Sequence, residues 1–328
     1  MIIYDELTER YEVNMNDKIM VSVLIMVYNH EKYLEECLNS IVNQKTNFKY
    51  EILVHDDCST DNSKKIIEKF HNKYPSKIIP LYEEENQYSK GVKIIEDLLI
   101  PKMKGKYFCF CEGDDYWVDN SKLQKQYVFL EKNKEYKFCV HNSIIVDKDS
   151  KVIRKKIVLK DGGDLNCEDF ITGGGGFVCT NSIFACSSLA KKLPKYFDYM
   201  SFDYIWQVYL SSCGKTYCLS DIMSAYRFRS GESWTERINK DKTKLINHFE
   251  KVNKVLEMIN IDTNNKYDES IKKVIISNKF NILRLQHNFK QMHQEPYIEL
   301  WKKLSKGKKM KYLIGEFMPN WMYKIVKK

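Results

Sequence analysis

Two adjacent carboxylates at the end of an apolar run carry the clearest chemical signal in this sequence. Residues 107–111 are apolar and aromatic, as in a buried strand, and Gly113, Asp114 and Asp115 follow closely. Two like charges at a strand end are costly unless a positive charge lies beside them. Mg²⁺ and Mn²⁺ take oxygen ligands and share their coordination with substrate phosphates, so the pair predicts a divalent metal site. The alternative is a solvated turn, because Gly-Asp-Asp is also ordinary turn chemistry.

Alternating strand and helix patterns predict the elements that position these carboxylates. Continuous apolar runs predict strands, and apolar residues at helical spacing predict helices between them. The predicted strands are 20–27, 51–55, 77–81, 107–111, 138–146, 177–186 and 224–229, and the predicted helices are 31–43, 60–74, 92–99, 122–132, 202–212, 245–259 and 271–289. Such alternation over about 130 residues is typical of βαβ units, so the fold class is α/β with a mostly parallel central sheet flanked by helices.

Three polar clusters follow three of these strands. They are Tyr28-Asn29, Asp56-Asp57 and Asp114-Asp115. Ligands of open parallel sheets bind at the carboxyl ends of the strands, so the clusters predict one shared ligand site. For Tyr28 a purely structural role is the alternative, whereas for Asp56 a structural role is expected in preference to ligand binding. Ser59 or Thr60 is expected to cap the next helix, with Asp61 as a favourable charge in its first turn.

Composition limits the class of protein and its compartment. The chain has 328 residues, 43% of them apolar, which is enough for a sizeable core. Its ten cysteines show no C-x-x-C spacing, its first residues lack a signal-peptide pattern, and no apolar run approaches the ~18 residues of a membrane span. We therefore expect reduced cysteines in a cytoplasmic protein. Residues 301–328 contain nine lysines and one glutamate, so they supply eight of the nine net positive charges.

Taken together, the motifs resemble those of family 2 glycosyltransferases with the GT-A fold. The matching segments are residues 21–29, with Tyr33-Leu34 downstream, residues 55–61, residues 112–117 and residues 122–126. The resemblance covers about residues 19–235. It implies a catalytic domain over 1–235, with a nucleotide-sugar half at about 19–135 and an acceptor half at about 136–235. Residues 236–328 are expected to form a helical C-terminal region with a basic, aromatic tail.

The resemblance also implies an activity: inverting transfer of a sugar from a UDP-sugar, assisted by Mn²⁺ or Mg²⁺, to a hydroxyl of an acceptor. The acceptor is expected to be a surface polysaccharide, a teichoic acid or a lipid-linked oligosaccharide. Single displacement requires neutralisation of the leaving group and a base at the acceptor hydroxyl, and it needs no covalent intermediate. No nucleophilic Ser or Cys and no second catalytic carboxylate is therefore required, which separates the activity from that of the paired-carboxylate hydrolases.

The family's functional residues carry over onto matching positions. In the donor site, Tyr28 is expected along the uracil ring with Asn29 beside it, and Asp57 accepts a hydrogen bond from the uracil N3–H. Asp115 is the expected direct metal ligand, and Asp114 binds the ribose, the metal or a metal-bound water.

Three further positions have less diagnostic surroundings. Asp203 is expected to be the catalytic base, with a simple first-turn helix carboxylate as the alternative. Lys90 is a candidate phosphate contact and otherwise a solvated lysine. The segment 226–229, with Trp234 beyond, resembles the family's loop over the diphosphate. Arg229 stands there where a metal-binding histidine is frequent, and it is assigned to donor binding.

Other functions remain open at this stage. A nucleotidyltransferase would also use a metal on an α/β sheet, but it generally needs a Gly-rich basic loop after the first strand, which Tyr28-Asn29-His30-Glu31 is not. A non-catalytic glycan- or nucleic-acid-binding module would use the basic tail, with aromatic residues stacking on bases. The tail itself is expected either to contact an anionic membrane peripherally or to pack as a structural cap.

Overall fold

The computed structural model describes residues 18–200, 202–228, 238 and 241–317, with side chains as far as 314. Contacts divide the chain into two compact units. The first contains 18–170, 175–194 and 206–228, and the second contains 171–174, 195–205 and 241–317. The expected domain boundary at 235 lies outside the described residues and stays a prediction.

Ten strands of the described chain form one sheet in the first unit. They are β1 Ile19–Val27, β2 Lys49–Asp56, β3 Ile78–Tyr82, β4 Tyr107–Glu112, β5 Tyr116–Trp117, β6 Tyr136–Val146, β7 Val152–Lys156, β8 Gly163–Leu165, β9 Phe184–Cys186 and β10 Lys215–Arg227. The order is β3-β2-β1-β4-β9-β6-β10-β5, with β7 beside β6 and β8 beside β10.

The sheet is parallel in its long pairings and mixed overall. The four longest pairings, β1 with β2 and with β4, β2 with β3, and β6 with β10, are parallel. The short strands β5, β7, β8 and β9 pair antiparallel. The connection from β6 to β7 has only five residues, and so short a link permits only an antiparallel neighbour.

The helices follow the predicted pattern closely. They are α1 Leu34–Val42, α2 Ser63–Lys73, α3 Lys122–Lys132, α4 Cys167–Gly173, α5 Ser187–Ala190, α6 Tyr196–Tyr199, α7 Asp203–Ser212, α8 Lys242–Asp262, α9 Asp268–Gln286, α10 Phe289–Met292, α11 Ile298–Lys302 and α12 Lys306–Phe317. The expected helical C-terminal region is confirmed by α8 to α12. Among the described residues, no helix combines the length and apolar character that a membrane crossing requires.

The core of the first unit lies on both faces of the sheet, which explains why β1 is apolar except at Ser22. On one face, α1, α2 and α3 pack apolar side chains against alternate residues of β1, β2 and β4. On the other face, the Trp206 ring of α7 contacts Phe108 and Phe110 edge-on, with centroids 5.9 and 5.7 Å apart. All ten cysteines are free thiols, as expected, and seven of them are buried.

Three local predictions were wrong. The expected strand 177–186 is only Phe184–Cys186, preceded by a 3₁₀ turn at Thr180–Ser182. The expected helix 92–99 is a π-helical turn at Ile94–Leu99. The helix after β2 begins at Ser63, so neither Ser59 nor Thr60 caps it; the Asp61 carboxylate instead accepts from the Ser63 amide at 2.8 Å.

The second unit has its own apolar cluster. The rings of Phe289 and Tyr312 stack with centroids 5.1 Å apart, and Trp301 joins them in the interior. The N-terminus of α8 is capped by Asp241, whose carboxylate accepts from the amides of residues 243 and 244 at 3.0 Å. Two aromatic residues of the basic tail, Trp301 and Tyr312, are therefore core residues of this unit and not free to stack on bases.

Candidate active site

The turn that follows β1 presents Tyr28 and is tied to the turn that follows β2. Tyr28 is 38% exposed, and Asn29 adopts a left-handed conformation with φ of 56°, which asparagine tolerates. The backbone amide of Asn29 donates to the Ser59 hydroxyl at 2.9 Å. The side-chain oxygen of Asn29 accepts from the backbone amide of Thr60 at 2.8 Å. The side chain of Asn29 thus holds the two turns together, and the Tyr28 ring remains available.

The β2 end contributes two buried carboxylates with different partners. Burial raises the pKa of Asp56, and the hydrogen bond from the Ser59 hydroxyl opposes that rise. Asp57 accepts from the backbone amides of Gln87 at 2.7 Å and Tyr88 at 3.1 Å. The segment that follows β3 is therefore folded onto Asp57, the residue that the resemblance assigns to the uracil.

The β4 end turns sharply at Gly113. A Cβ atom there would lie 2.7 Å from the His30 imidazole Nδ1 and 3.1 Å from the Val27 side chain, so a larger residue would displace these side chains from the turn after β1. The Gly113 amide donates to the Met26 carbonyl at 3.0 Å. This contact brings the acidic pair to the end of β1, and the two clusters meet as the sequence predicts.

Asp115 is almost completely buried, with 1% of its surface exposed. Its Oδ1 accepts from the Arg227 amide at 2.8 Å, and its Oδ2 accepts from the Asn181 side-chain amide at 2.8 Å. Burial raises the pKa of Asp115 well above its ordinary value, and the neighbouring carboxylates Asp114 and Glu112 raise it further. The carboxylate is thus held in one orientation in an environment that disfavours its negative charge.

Sequence reasoning missed Asn181 as a site residue. Besides holding Asp115, its amide donates to the Ala225 carbonyl at 2.9 Å, and its side-chain oxygen accepts from the Ser224 hydroxyl at 2.6 Å. A fully hydrogen-bonded buried amide of this kind specifies a unique geometry. The signal in the sequence was the polar run 180–182 inside an otherwise apolar stretch.

Arg227 is the second residue whose role was missed. It ends β10, is 2% exposed, and donates from Nε to the Asp114 carbonyl at 2.8 Å. Its Nη2 donates to Glu36 at 2.7 Å, its Nη1 donates to the Asp147 carbonyl at 2.9 Å, and its guanidinium lies 4.3 Å from the Tyr33 ring centroid. Residues 226–227 are the end of β10, as the strand prediction for 224–229 has it, and not part of a loop over the diphosphate. Arg227 braces the acidic turn. Arg229 and Trp234 lie outside the described residues.

Two further predicted site residues, Lys90 and Asp203, lie on other elements. Lys90 ends a 3₁₀ turn and pairs with Glu85 at 2.6 Å; the lysine side chain is 48% exposed. Asp203 is the first residue of α7 and belongs with the second compact unit. Its role as a base stays a prediction.

The β4 end has donor chemistry suited to a divalent cation. Asp114 and Asp115 offer only oxygen atoms, and the raised pKa of Asp115 reports crowded carboxylates in a buried place. Arg227, the neighbouring cation, is committed to carbonyl groups and Glu36. Within the described residues, no three His, Cys, Asp or Glu side chains converge on a metal position. A cation held by two carboxylates needs further oxygen ligands, which substrate phosphates commonly supply.

Comparison with known proteins places the chain in a family. The profile of the family described as "Glycosyl transferase family 2" matches residues 22–189. The uncharacterized protein Rv1520 of Mycobacterium tuberculosis is 28% identical over 218 residues, which are 65% of this chain and 60% of that protein. Poly(ribitol-phosphate) beta-N-acetylglucosaminyltransferase TarS of Staphylococcus aureus is 35% identical over 115 residues, which are 34% of this chain and 19% of TarS. The chain thus spans less than two thirds of the length of either relative.

Solved structures show the same fold at low sequence identity. The crystal structure of TarS residues 1–349 with UDP-GlcNAc superposes with a TM-score of 0.54 at 18% identity, covering 81% of each chain. The mannosyltransferase PcManGT of Pyrobaculum calidifontis, solved with GDP-Man and Mn²⁺, gives 0.51 at 15% identity and covers 96% of this chain and 92% of that one. The predicted GT-A fold is confirmed. Because the family profile covers half of its residues, the chain belongs to glycosyltransferase family 2.

Proposed function

We propose that this protein transfers a sugar from a UDP-sugar to a hydroxyl group of an acceptor glycan, with inversion at the anomeric carbon. The observation that carries the proposal is the rigid acidic turn at the end of β4, in a chain of this family. There Asn181 and the Arg227 amide hold Asp115, and Gly113 brings the turn against the end of β1. Carboxylates held in place at a strand end suit a nucleotide diphosphate when a divalent cation lies between the two groups of negative charge.

The donor's uracil is proposed to bind beside Tyr28 and Asp57. The exposed ring of Tyr28 offers a stacking face, and base–aromatic stacking contributes about 1–3 kcal/mol. Each oxygen of Asp57 already accepts one backbone amide, but a carboxylate oxygen has two lone pairs, so each can accept another bond. Asn29 contributes through the shape of the turn that its side chain maintains. Lys90 can reach a phosphate only if it leaves Glu85, and Arg229 is proposed to contact the donor as well.

Asp114 and Asp115 are proposed to hold Mn²⁺ or Mg²⁺ together with the donor's phosphates. The cation would supply positive charge that neutralises the departing UDP. The protein's own part is to hold the two carboxylates in place, and the bonds from Asn181 and Arg227 to Asp115 do so. PcManGT, which shares the fold, was solved with Mn²⁺.

Asp203 is proposed as the base that accepts the proton of the acceptor hydroxyl. This role rests on the family resemblance and on its place at the start of α7. The acceptor is proposed to be a cell-surface polysaccharide, a teichoic acid or a lipid-linked oligosaccharide, because TarS, a relative, is named for transfer to poly(ribitol-phosphate). A cytoplasmic site of action at the inner face of the membrane would suit such acceptors.

The test is a UDP-release screen over a panel of UDP-sugars with Mn²⁺ present, run with and without candidate acceptor glycans. We expect one donor to release UDP and an acceptor to increase the rate. The proposal fails if calorimetry with Mn²⁺ detects no binding of UDP or of any UDP-sugar. Release of pyrophosphate in place of UDP would indicate a nucleotidyltransferase.

A further inference from the structure

A basic cleft lies at the edge of the sheet opposite the candidate active site. It has a volume of about 480 Å³, and its lining includes six lysines: Lys18, Lys104, Lys106, Lys134, Lys137 and Lys191. Lys18 precedes β1, Lys104 and Lys106 precede β4, and Lys137 is the second residue of β6. These are the amino ends of parallel strands, whereas the acidic clusters follow the carboxyl ends. Since β4 has six residues, the two edges are about 20 Å apart.

The backbone that carries the cleft lysines is fixed on two sides. The Lys104 amide donates to buried Glu51 at 2.6 Å, and the Gly105 amide donates to the Ser22 hydroxyl at 2.9 Å. A Cβ atom at Gly105 would lie 2.4 Å from the Ser22 amide nitrogen, so the chain approaches β1 as only glycine allows. On the other side, the Lys106 carbonyl accepts from the Ser187 amide at 2.9 Å. The segment is therefore positioned before any ligand arrives.

The carboxylates near the cleft do not balance its lysines. Partial burial acts to raise the pKa of Glu131, but hydrogen bonds from Lys106, Lys134 and the Tyr107 hydroxyl lower it to about 2. Glu131 thus stays ionised and offsets one positive charge, and Glu51 lies beneath the backbone. The ammonium groups of Lys18, Lys104 and Lys191 form no ion pair within the described part of the chain. Six lysines facing so few carboxylates favour an anion that carries more than one charge.

A second observation points to a ligand. Ser187 lines the cleft, is 3% exposed, and its hydroxyl has no hydrogen-bond partner among the described residues. Buried hydroxyl groups are rarely left without a partner, because the lost hydrogen bond costs about 1–3 kcal/mol. Phosphate oxygens accept hydrogen bonds from hydroxyl and ammonium groups alike, so one phosphate group would satisfy both kinds of donor once the Ser187 hydroxyl, which is inaccessible without a ligand, turns toward the cleft.

We propose that this cleft is a binding site for a phosphate-bearing ligand of the size of a diphosphate or a sugar phosphate, separate from the donor site. The volume falls in the range of small-molecule sites, about 300–1,000 Å³. The lysines attract the anion, and Ser187 and the fixed backbone at Lys104–Lys106 give the site its shape. The proposal needs neither a sugar donor nor a metal, so it stands or fails independently of the transferase activity.

The test measures inorganic pyrophosphate binding to the full chain by calorimetry in EDTA, where no cation bridges it to the acidic turn. The test variant combines Lys18→Gln, Lys104→Gln and Lys191→Gln. The matched control combines Lys64→Gln, Lys65→Gln and Lys73→Gln on α2, which removes the same charge from exposed positions. We expect pyrophosphate affinity to fall at least about ten-fold in the test variant and less than about two-fold in the control. No binding to the unaltered protein, or equal losses in both variants, would overturn the proposal.

Two further measurements sharpen the result. Ser187→Ala should leave the melting temperature without ligand unchanged or higher, since its hydroxyl makes no bond, and should reduce the increase that pyrophosphate produces. If pyrophosphate raises the melting temperature of Ser187→Ala as much as that of the unaltered protein, Ser187 is not part of the site. Sedimentation with phosphatidylglycerol vesicles identifies the source of the phosphate. Binding that needs Lys18, Lys104 and Lys191 and is displaced by pyrophosphate indicates a lipid headgroup, and pyrophosphate binding without vesicle binding indicates a soluble ligand.

Discussion

At the scale of single residues, the two aspartates after β4 have different surroundings although they are adjacent. Asp115 is fixed by two hydrogen bonds in a buried place, whereas the Asp114 carboxylate accepts no hydrogen bond from the described residues. The sequence predicted the pair but not this difference, because it depends on Asn181 and Arg227, which are 66 and 112 positions away. Both aspartates are proposed as metal ligands, but only Asp115 also has a structural role.

This difference predicts separable effects on stability and metal binding. Mn²⁺ with UDP should raise the melting temperature of the unaltered protein but not that of Asp114→Asn or Asp115→Ala. Without ligands, Asp115→Ala should melt about 4–8 °C lower, because orphaning the Asn181 and Arg227 donors costs about 2 kcal/mol. Asp114→Asn should melt within about 2 °C of the parent. The melting temperatures are measured by differential scanning fluorimetry. If Mn²⁺ with UDP raises the melting temperature of both variants as much as that of the parent, this metal site is excluded.

Tyr28 offers a test of uracil binding that leaves the fold intact. Its ring is 38% exposed, so Tyr28→Ala removes a stacking face and little core packing. UDP affinity should fall roughly ten-fold or more, in line with a stacking contribution of about 1–3 kcal/mol. Tyr28→Phe keeps the ring and serves as the control, with affinity close to the parent by calorimetry. Equal affinities of the alanine and phenylalanine variants would mean that the uracil binds elsewhere.

Asp203→Asn tests the proposed base. Asparagine nearly preserves the shape of the side chain but cannot accept the proton, so transfer should fall by at least about 100-fold. UDP-sugar affinity should be retained, because the base acts on the acceptor and not on the donor. The measurement pairs UDP-release rates with calorimetry of donor binding. A near-normal kcat would leave Asp203 with a structural role at the start of α7.

At the scale of elements, the acidic turn depends on strands and helices that are distant in the sequence. Arg227 at the end of β10 joins the turn after β4, Glu36 of α1 and the carbonyl of Asp147 after β6. Hydrophobic periodicity predicted most of these elements. Each of the helices α1 to α3 buries one apolar stripe, and the strands β1, β2 and β4 are buried on both faces. It failed at 177–186, where Asn181 leaves the strand pattern to hold Asp115. Local patterns report burial, and they do not report a long-range polar bond.

Arg227→Lys should therefore destabilise the protein although the charge is kept. A lysine cannot reach three separate acceptors in a plane and stack on Tyr33, and the loss should cost about 2 kcal/mol. UDP binding in the presence of Mn²⁺ should weaken in parallel, because the Asp114 carbonyl loses its donor. Arg154→Lys on β7 is the matched control, since Arg154 is exposed and its change should be nearly neutral. Urea unfolding that gives equal midpoints for the two variants would contradict the bracing role.

At the scale of the whole chain, net charge concealed the distribution of charge. Outside residues 301–328 the charges nearly cancel, so the net charge of the main domain gives no sign of a basic surface. The structure instead separates them: acidic clusters follow the carboxyl ends of the strands, and the lysine-lined cleft lies at their amino ends. The sequence contained every one of these residues, but only the register of β1, β4 and β6 assigns them to opposite edges. The net charge adds all residues together, so it cannot show that acidic and basic residues lie at opposite edges of the sheet.

The basic tail is the remaining feature of the whole chain, and α12 shows what it presents. Met310, Leu313 and Ile314 recur at helical spacing and are exposed by 61%, 38% and 46%, while Tyr312 between them is buried. Lys306, Lys308 and Lys311 are exposed on the same helix. The helix thus packs inward through Tyr312 and still exposes an apolar stripe with lysines beside it, which is the pattern of an interfacial helix.

We expect the protein to sediment with anionic vesicles at low salt through this stripe. Lysines near an anionic surface contribute roughly 1 kcal/mol each, and apolar side chains add burial. Replacing Met310, Leu313 and Ile314 with serine keeps the net charge and spares Tyr312, so the second unit should stay folded while sedimentation falls several-fold. Ile261→Ser on α8, which removes an apolar side chain that is 73% exposed, should change nothing. Equal sedimentation of the triple variant and the parent, or binding that ignores lipid charge, would leave α12 as a cap on the second unit.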